Sequence, residues 1–166
     1  MSTIGFDTSN YTTSTAWTDG KTDINVRQIL YVKDGERGIR QSDGVFQHMK
    51  LMPVMYEKLS EQIDFKDVKA VGVSTRPRCV EGSYMPVFLA GEGYAKVVAN
   101  TVGVPLYEFS HQDGHIMAGI YSSGSFELLE NDFISVHLSG GTTEILKSRY
   151  NGFNFDNEII GGSKDI

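Results

Sequence analysis

Cysteine is almost absent from this chain. Cys79 is the only one in 166 residues, so no internal disulfide can form and no cysteine-based zinc site can be built. Long apolar runs are missing too: nowhere do 18 apolar residues follow one another. The start, Met1-Ser2-Thr3-Ile4-Gly5, has no basic stretch ahead of an apolar one. Neither export nor a membrane span is therefore expected, and a cytoplasmic location is. Positive charge is in deficit, with 15 Lys and Arg against 21 Asp and Glu and a net charge of −6. Nucleic-acid affinity comes largely from cations that neutralise phosphates, so any RNA would be held only with partners or a local basic patch. The 40% apolar and 22% charged content is otherwise ordinary for a globular protein of one domain, or of one domain and part of a second.

Histidine is also scarce, four in all, yet two of them stand four apart in His111-Gln112-Asp113-Gly114-His115. On a helix this spacing stacks both imidazoles on one face, one turn apart, where they can share a metal ion. His48, with Met49 and Met52 beside it, reads instead as a packed core or rim histidine.

The hydrophobic pattern predicts strands over Thr3–Thr8 and Thr12–Thr18 around a Ser9-Asn10 turn, and a third strand over Val26–Val32. A helix is expected from Ser42 or Asp43, either of which could cap it, through Leu59, with Pro53 kinking or breaking it. Lys69–Ser74 reads as a covered strand, and a helix from Ser83, with Pro86 in its first turn, should end at Gly103. A strand over Leu106–Phe109 feeds the histidine helix. Past the Ser122-Ser123-Gly124-Ser125 loop, Phe133–Leu138, Thr143–Arg149 and Phe153–Ile160 read as a three-stranded meander with an exposed apolar face and an edge. The result is an α/β protein: a ribonuclease-H-like domain with a mixed sheet over residues 1–125, then the first meander of a second, incomplete lobe over 126–166.

Two turns are candidates for holding phosphate. The first offers Asp7, Thr8 and Ser9, with hydroxyls, turn amides and a carboxylate that could orient a water or metal. The second is Ser139-Gly140-Gly141-Thr142, where glycines let backbone amides approach an anion. Both, like the histidine helix, follow the end of a strand, where α/β proteins place ligands.

Four segments resemble the TsaD/Gcp family, once labelled O-sialoglycoprotein endopeptidases. Ile4-Gly5-Phe6-Asp7-Thr8-Ser9 is similar to its I-G-I-E-T-S strand and turn, and His111 to His115 to its H-M-E-G-H metal motif. Ser139-Gly140-Gly141-Thr142 is similar to its S-G-G-H phosphate loop, and Gly161-Gly162-Ser163-Lys164-Asp165 to G-E-S-I-D. The resemblance spans nearly all of this chain but about half of a family member. It implies an actin-like ATPase fold, ATP or an acyl-adenylate as ligand, and iron or zinc on His111 and His115. It also implies transfer of a threonylcarbamoyl group to an adenosine of tRNA, in a homodimer or a complex with tRNA-modification proteins.

Departures from the family pattern keep a second reading open. The family's C-D-E after E-T-S is replaced by Asn10-Tyr11-Thr12, and a tyrosine is no general base at neutral pH without a large pKa shift. Its T-A-G-P-G loop is replaced by Ser74-Thr75-Arg76-Pro77-Arg78, so that Arg76 and Arg78 either meet a different anionic substrate group or are solvated surface arginines. Thr142 stands where the family has histidine, and the catalytic residues stay unassigned. The alternative is a non-catalytic relative acting as partner or regulator in the same machinery. The protease label fits least, because a zincin helix needs His-Glu-x-x-His and Gln112 holds the glutamate position.

Overall fold

A computed structural model of the chain describes residues 1–36, 38–139 and 142–164. Eight strands and three α-helices follow in order: β1 (Ser2–Thr8), β2 (Thr12–Thr18), β3 (Asp23–Ile29), α1 (Gln41–Ser60), β4 (Val68–Arg76), α2 (Phe88–Val102), β5 (Leu106–Ser110), α3 (His111–Ser123), β6 (Phe133–Ser139), β7 (Thr142–Tyr150) and β8 (Phe155–Lys164). The chain divides into two units, Met1–Pro77 with Ser83–His111, and Arg78–Gly82 with Gln112–Ile166. This division falls ahead of the boundary expected after residue 125, because α3 beyond His111 packs with the later strands. Ile116 and Ile120 of α3 share a buried cluster with Leu146 and Phe155.

The first unit carries one sheet in the order β3-β2-β1-β4-β5, with β1, β2 and β3 antiparallel and β1, β4 and β5 parallel. Its core follows from strand alternation. Ile4 and Phe6 of β1 and Val71 and Val73 of β4 bury their side chains with Met52 and Leu59 of α1 and Ala95 and Ala99 of α2. Each large apolar group so buried contributes about 1.5–3 kcal/mol relative to exposure. Small residues let α2 come close to the sheet. A β-carbon on Gly91 would meet the Thr8 hydroxyl at 2.8 Å. Gly103 closes α2 in the left-handed conformation (φ 76°), as its position in the sequence predicts.

Five expectations need correction. β3 begins at Asp23 and ends at Ile29, not Val26 to Val32. The Asp19 carboxylate accepts from the amides of Lys21 and Thr22 and tightens the turn that sets the register, while Gln47 of α1 draws both backbone groups of Tyr31 out of the sheet. β8 starts at Phe155, because Asn151 accepts from the amides of Phe153 and Asn154 and makes them turn residues. Neither Ser42 nor Asp43 caps α1, which starts at Gln41 without a side-chain cap, and α2 starts at Phe88 rather than Ser83, its first turn preceded by Pro86. Finally, Pro53 does not break α1. It sits on the exposed side of a continuous helix, and the Met49 carbonyl that its missing N–H would have satisfied accepts the Tyr94 hydroxyl of α2 at 3.0 Å.

The second unit holds the antiparallel sheet β6-β7-β8. One face packs on α3. The other exposes Ile134, Val136, Leu138 and Ile145, the apolar surface expected of this meander. Among the described residues no helix is long and apolar enough to cross a membrane.

His48 is fully buried, as a core histidine should be, and it also holds the β1–β2 turn. It donates from Nε2 to the Ser9 carbonyl (2.8 Å) and accepts the Thr13 hydroxyl at Nδ1 (2.7 Å). Burial pushes its pKa below the ordinary imidazole value, outweighing the Ser9 hydrogen bond and the Asp7 charge, which raise it. Above about pH 6.5 the imidazole is neutral in folded and unfolded chains alike. As pH falls below that value the unfolded chain takes the proton first, so stability drops. Urea unfolding at pH 7.5 and 5.5 should therefore show a smaller acid loss for His48→Gln than for the parent chain. Tyr94→Phe should cost about 0.5–1 kcal/mol in the same assay. In a Pro53→Ala background, where residue 53 can serve Met49, that cost should disappear.

Candidate functional site

In the first unit the C-terminal end of β1 gathers the site. Alternation turns Asp7 to one face of the sheet and Thr8 to the other. The Asp7 carboxylate accepts the Ser9 amide at Oδ1 (3.0 Å), and its Oδ2 lies 2.8 Å from Nδ1 of His111 at the end of β5. Both side chains are about a quarter exposed, so the contact is neither dry nor fully solvated. A carboxylate at that distance favours the imidazole proton on Nδ1 and orients the ring. Phe88, at the start of α2, packs on the ring with centroids 5.9 Å apart.

The turn after Thr8 is fastened at several atoms. His48 holds the Ser9 carbonyl, the Gln41 amide donates to the Asn10 side chain (2.7 Å), and the Leu30 amide donates to the Tyr11 carbonyl (2.8 Å). Thr8 is placed otherwise than expected. Its side chain is fully buried, its hydroxyl donating to the Val87 carbonyl (2.9 Å) and accepting the Gly91 amide (3.0 Å). It docks α2 on β1 through both of these hydrogen bonds. Ser9 remains at the turn with its amide held by Asp7. Arg76 ends β4, its guanidinium donating to the Thr75 hydroxyl at 3.1 Å.

In the second unit Arg78 pairs with Glu144 of β7 at 2.7 Å. Glu144 is 7% exposed and also accepts from Gln112 of α3 (3.3 Å). Its other neighbour is His137 of β6, whose Nδ1 lies 3.8 Å from Oε2. His115 lies against His137, ring centroids 5.7 Å apart and tilted by 44°. The two motif histidines thus have different neighbours: His111 meets Asp7, and His115 meets His137. Among the described residues no group of three or more His, Cys, Asp or Glu is placed to hold a metal by itself. Of the second phosphate turn, Gly140 and Gly141 lie outside the described residues, and the backbones of Ser139 and Thr142 pair across the β6–β7 hairpin.

Sequence reasoning passed over His137, Glu144 and the clamp at His48. For His137 a signal existed, since a lone histidine in Phe133-Ile134-Ser135-Val136-His137-Leu138 falls, by alternation, on the same side as Phe133. Glu144 and Arg78 are far apart in sequence, and nothing local announces their pairing.

Residues 35–163 match the family model TsaD: tRNA N6-adenosine threonylcarbamoyltransferase. The tRNA N6-adenosine threonylcarbamoyltransferase of Christiangramia forsetii is 32% identical over 117 residues, which are 69% of this chain and 32% of that protein. The protein of the same name from Pyrobaculum calidifontis is 28% identical over 144 residues, 86% of this chain and 40% of that protein. The chain thus spans well under half the length of these curated relatives. Among solved structures, YeaZ from Pseudomonas aeruginosa shares the fold with a TM-score of 0.55 at 11% identity, over 98% of this chain and 66% of that one. The mixed five-stranded sheet followed by an antiparallel meander is accordingly the actin-like α/β arrangement expected from the sequence. On the match over residues 35–163, this chain belongs to the tRNA N6-adenosine threonylcarbamoyltransferase family.

Proposed function

We propose that this chain supplies the phosphate-facing and metal-facing part of a threonylcarbamoyl-type transferase acting in tRNA modification, in the cytoplasm and together with partner proteins. The observation that carries this reading is the Asp7–His111 contact at 2.8 Å, where β1 and β5 end beside the fastened Ser9 turn. It is the carboxylate–histidine arrangement that metal-ligating imidazoles use, and it lies where α/β sheets bind ligands. His111 and His115 would hold a divalent iron or zinc ion, two neutral imidazoles being half of a four-coordinate set. When bound, such an ion supplies Lewis-acid polarisation of a carbonyl or phosphoryl oxygen.

The residues of the chain itself do the positioning. Asp7 fixes the His111 ring, and His48, Gln41 and Leu30 keep the β1–β2 turn in one shape, so that ATP or an acyl-adenylate meets an ordered backbone. Ser139, Gly140, Gly141 and Thr142 would provide the second phosphate contact. Arg78 brings little net charge to a substrate, because Glu144 already neutralises it; Arg76, at the end of β4, would be the residue to meet an anionic group. With a net charge of −6, tRNA would be held through partners, in a homodimer or a hetero-complex.

Asn10-Tyr11-Thr12 favours a second reading, an accessory subunit of the same machinery, because no carboxylate stands there to act as a base. Tyr11, in the middle of that run, is 44% exposed.

Calorimetric titration of the purified chain with Zn2+ and with ATP should show binding of both. Asp7→Asn should weaken Zn2+ by about 10–100-fold, the effect expected of a lost carboxylate behind a ligating histidine. Absence of both affinities would overturn the reading. Reconstitution with partner proteins, threonylcarbamoyl-adenylate and tRNA separates the two forms of it: modified adenosine above the partners' own background marks a transferase, and stimulation of another transferase alone marks an accessory subunit.

A further inference from the structure

We infer that His137 is a metal ligand, holding a divalent transition-metal ion together with His115 in the second unit. The inference rests on the metal reading above for the role of His115 and adds a ligand that the histidine motif of α3 does not contain.

Three features of this unit converge on it. The first is distance. Two imidazoles sharing one tetrahedral ion, each nitrogen about 2.0–2.1 Å from the metal, set their ring centroids about 5 Å apart. Those of His115 and His137 stand 5.7 Å apart, within a few tenths of an ångström per side chain of that separation. The second is orientation. Nδ1 of His137 lies 3.8 Å from the Glu144 carboxylate, longer than a hydrogen bond but near enough to favour the proton on that nitrogen and leave Nε2 as the ligating atom. Glu144 is itself buried and fixed by Arg78 and Gln112, so the charge behind His137 is held in place. Asp7 stands behind His111 in the first unit by the same device.

The third is access. His115 and His137 line a cavity of about 240 Å3 whose walls include Ile116, Ile120, Leu128 and Phe133. The cavity has room for the water or small oxyanion that would complete the coordination. Its apolar wall keeps the dielectric low, which strengthens the pull of a bound cation on such a ligand. Imidazole donors select among zinc, iron, copper and nickel rather than calcium or magnesium.

Titration of the whole chain with Co2+, read by its visible absorption, tests this directly. The parent chain should develop the spectrum of a low-symmetry site containing imidazole nitrogen, and His137→Gln and His115→Gln should each weaken binding by at least about 10-fold. Thermal midpoints in chelator show whether each variant is folded, and ring-proton NMR of the parent chain needs no variant at all. Paramagnetic shifts at both His115 and His137 are expected there. Parent-like affinity and spectrum in His137→Gln, or a His137 ring that Co2+ does not shift, would overturn the inference. His111→Gln separates it from the reading on which it rests. Loss of binding in that variant but not in His137→Gln keeps the motif pair and removes His137. Loss in His137→Gln alone keeps His137 and removes His111, and loss in both makes the three imidazoles ligands of one ion.

Discussion

The alternation of side chains along β1 governs the first unit. Because successive residues of a strand face opposite sides, Ile4, Phe6 and Thr8 belong to the helices while Asp7 belongs to the other face. A shift of register by one residue would send the carboxylate into the core and the threonine methyl to water. Pairing with β2 on one side and β4 on the other fixes that register over most of the strand. The end of β1 is therefore an ordered place for three roles within three residues: Asp7 aligns an imidazole, Thr8 docks α2, and Ser9 is held from both sides of its peptide.

Much of this was legible beforehand. The strand and helix order, the mixed sheet and the left-handed stop at Gly103 follow from local chemistry, and so does His48 as a core residue. Boundaries were misplaced where a side chain from elsewhere wins a backbone group, as Gln47 does at Tyr31 and Tyr94 does at Met49. Such contacts carry no local sequence signal. Thr8 shows the same limit in the site, since its hydroxyl looks like a ligand group until α2 is seen lying on it.

The family match sharpens the meaning of the departures. Where a run of glycine and small residues would leave backbone open, this chain has Arg76, Pro77 and Arg78, and Arg78 is paired with a buried carboxylate. A buried charge is costly to leave alone, so removing Arg78 would take from the buried Glu144 carboxylate its cationic partner at 2.7 Å. The histidine of β6 sits beside that pair, 3.8 Å from the carboxylate.

The outward side of the second sheet has a different consequence. Ile134, Val136, Leu138 and Ile145 form a row of branched side chains on a pleated surface, beside a strand whose outer hydrogen-bonding groups lie at the sheet edge in the described topology. Surfaces of this kind attract their own copies, and the opposing influence is the acidic surplus of the chain, which keeps molecules apart by mutual repulsion. Ionic strength acts on the two influences unequally: salt screens the repulsion between like charges and leaves the apolar attraction intact.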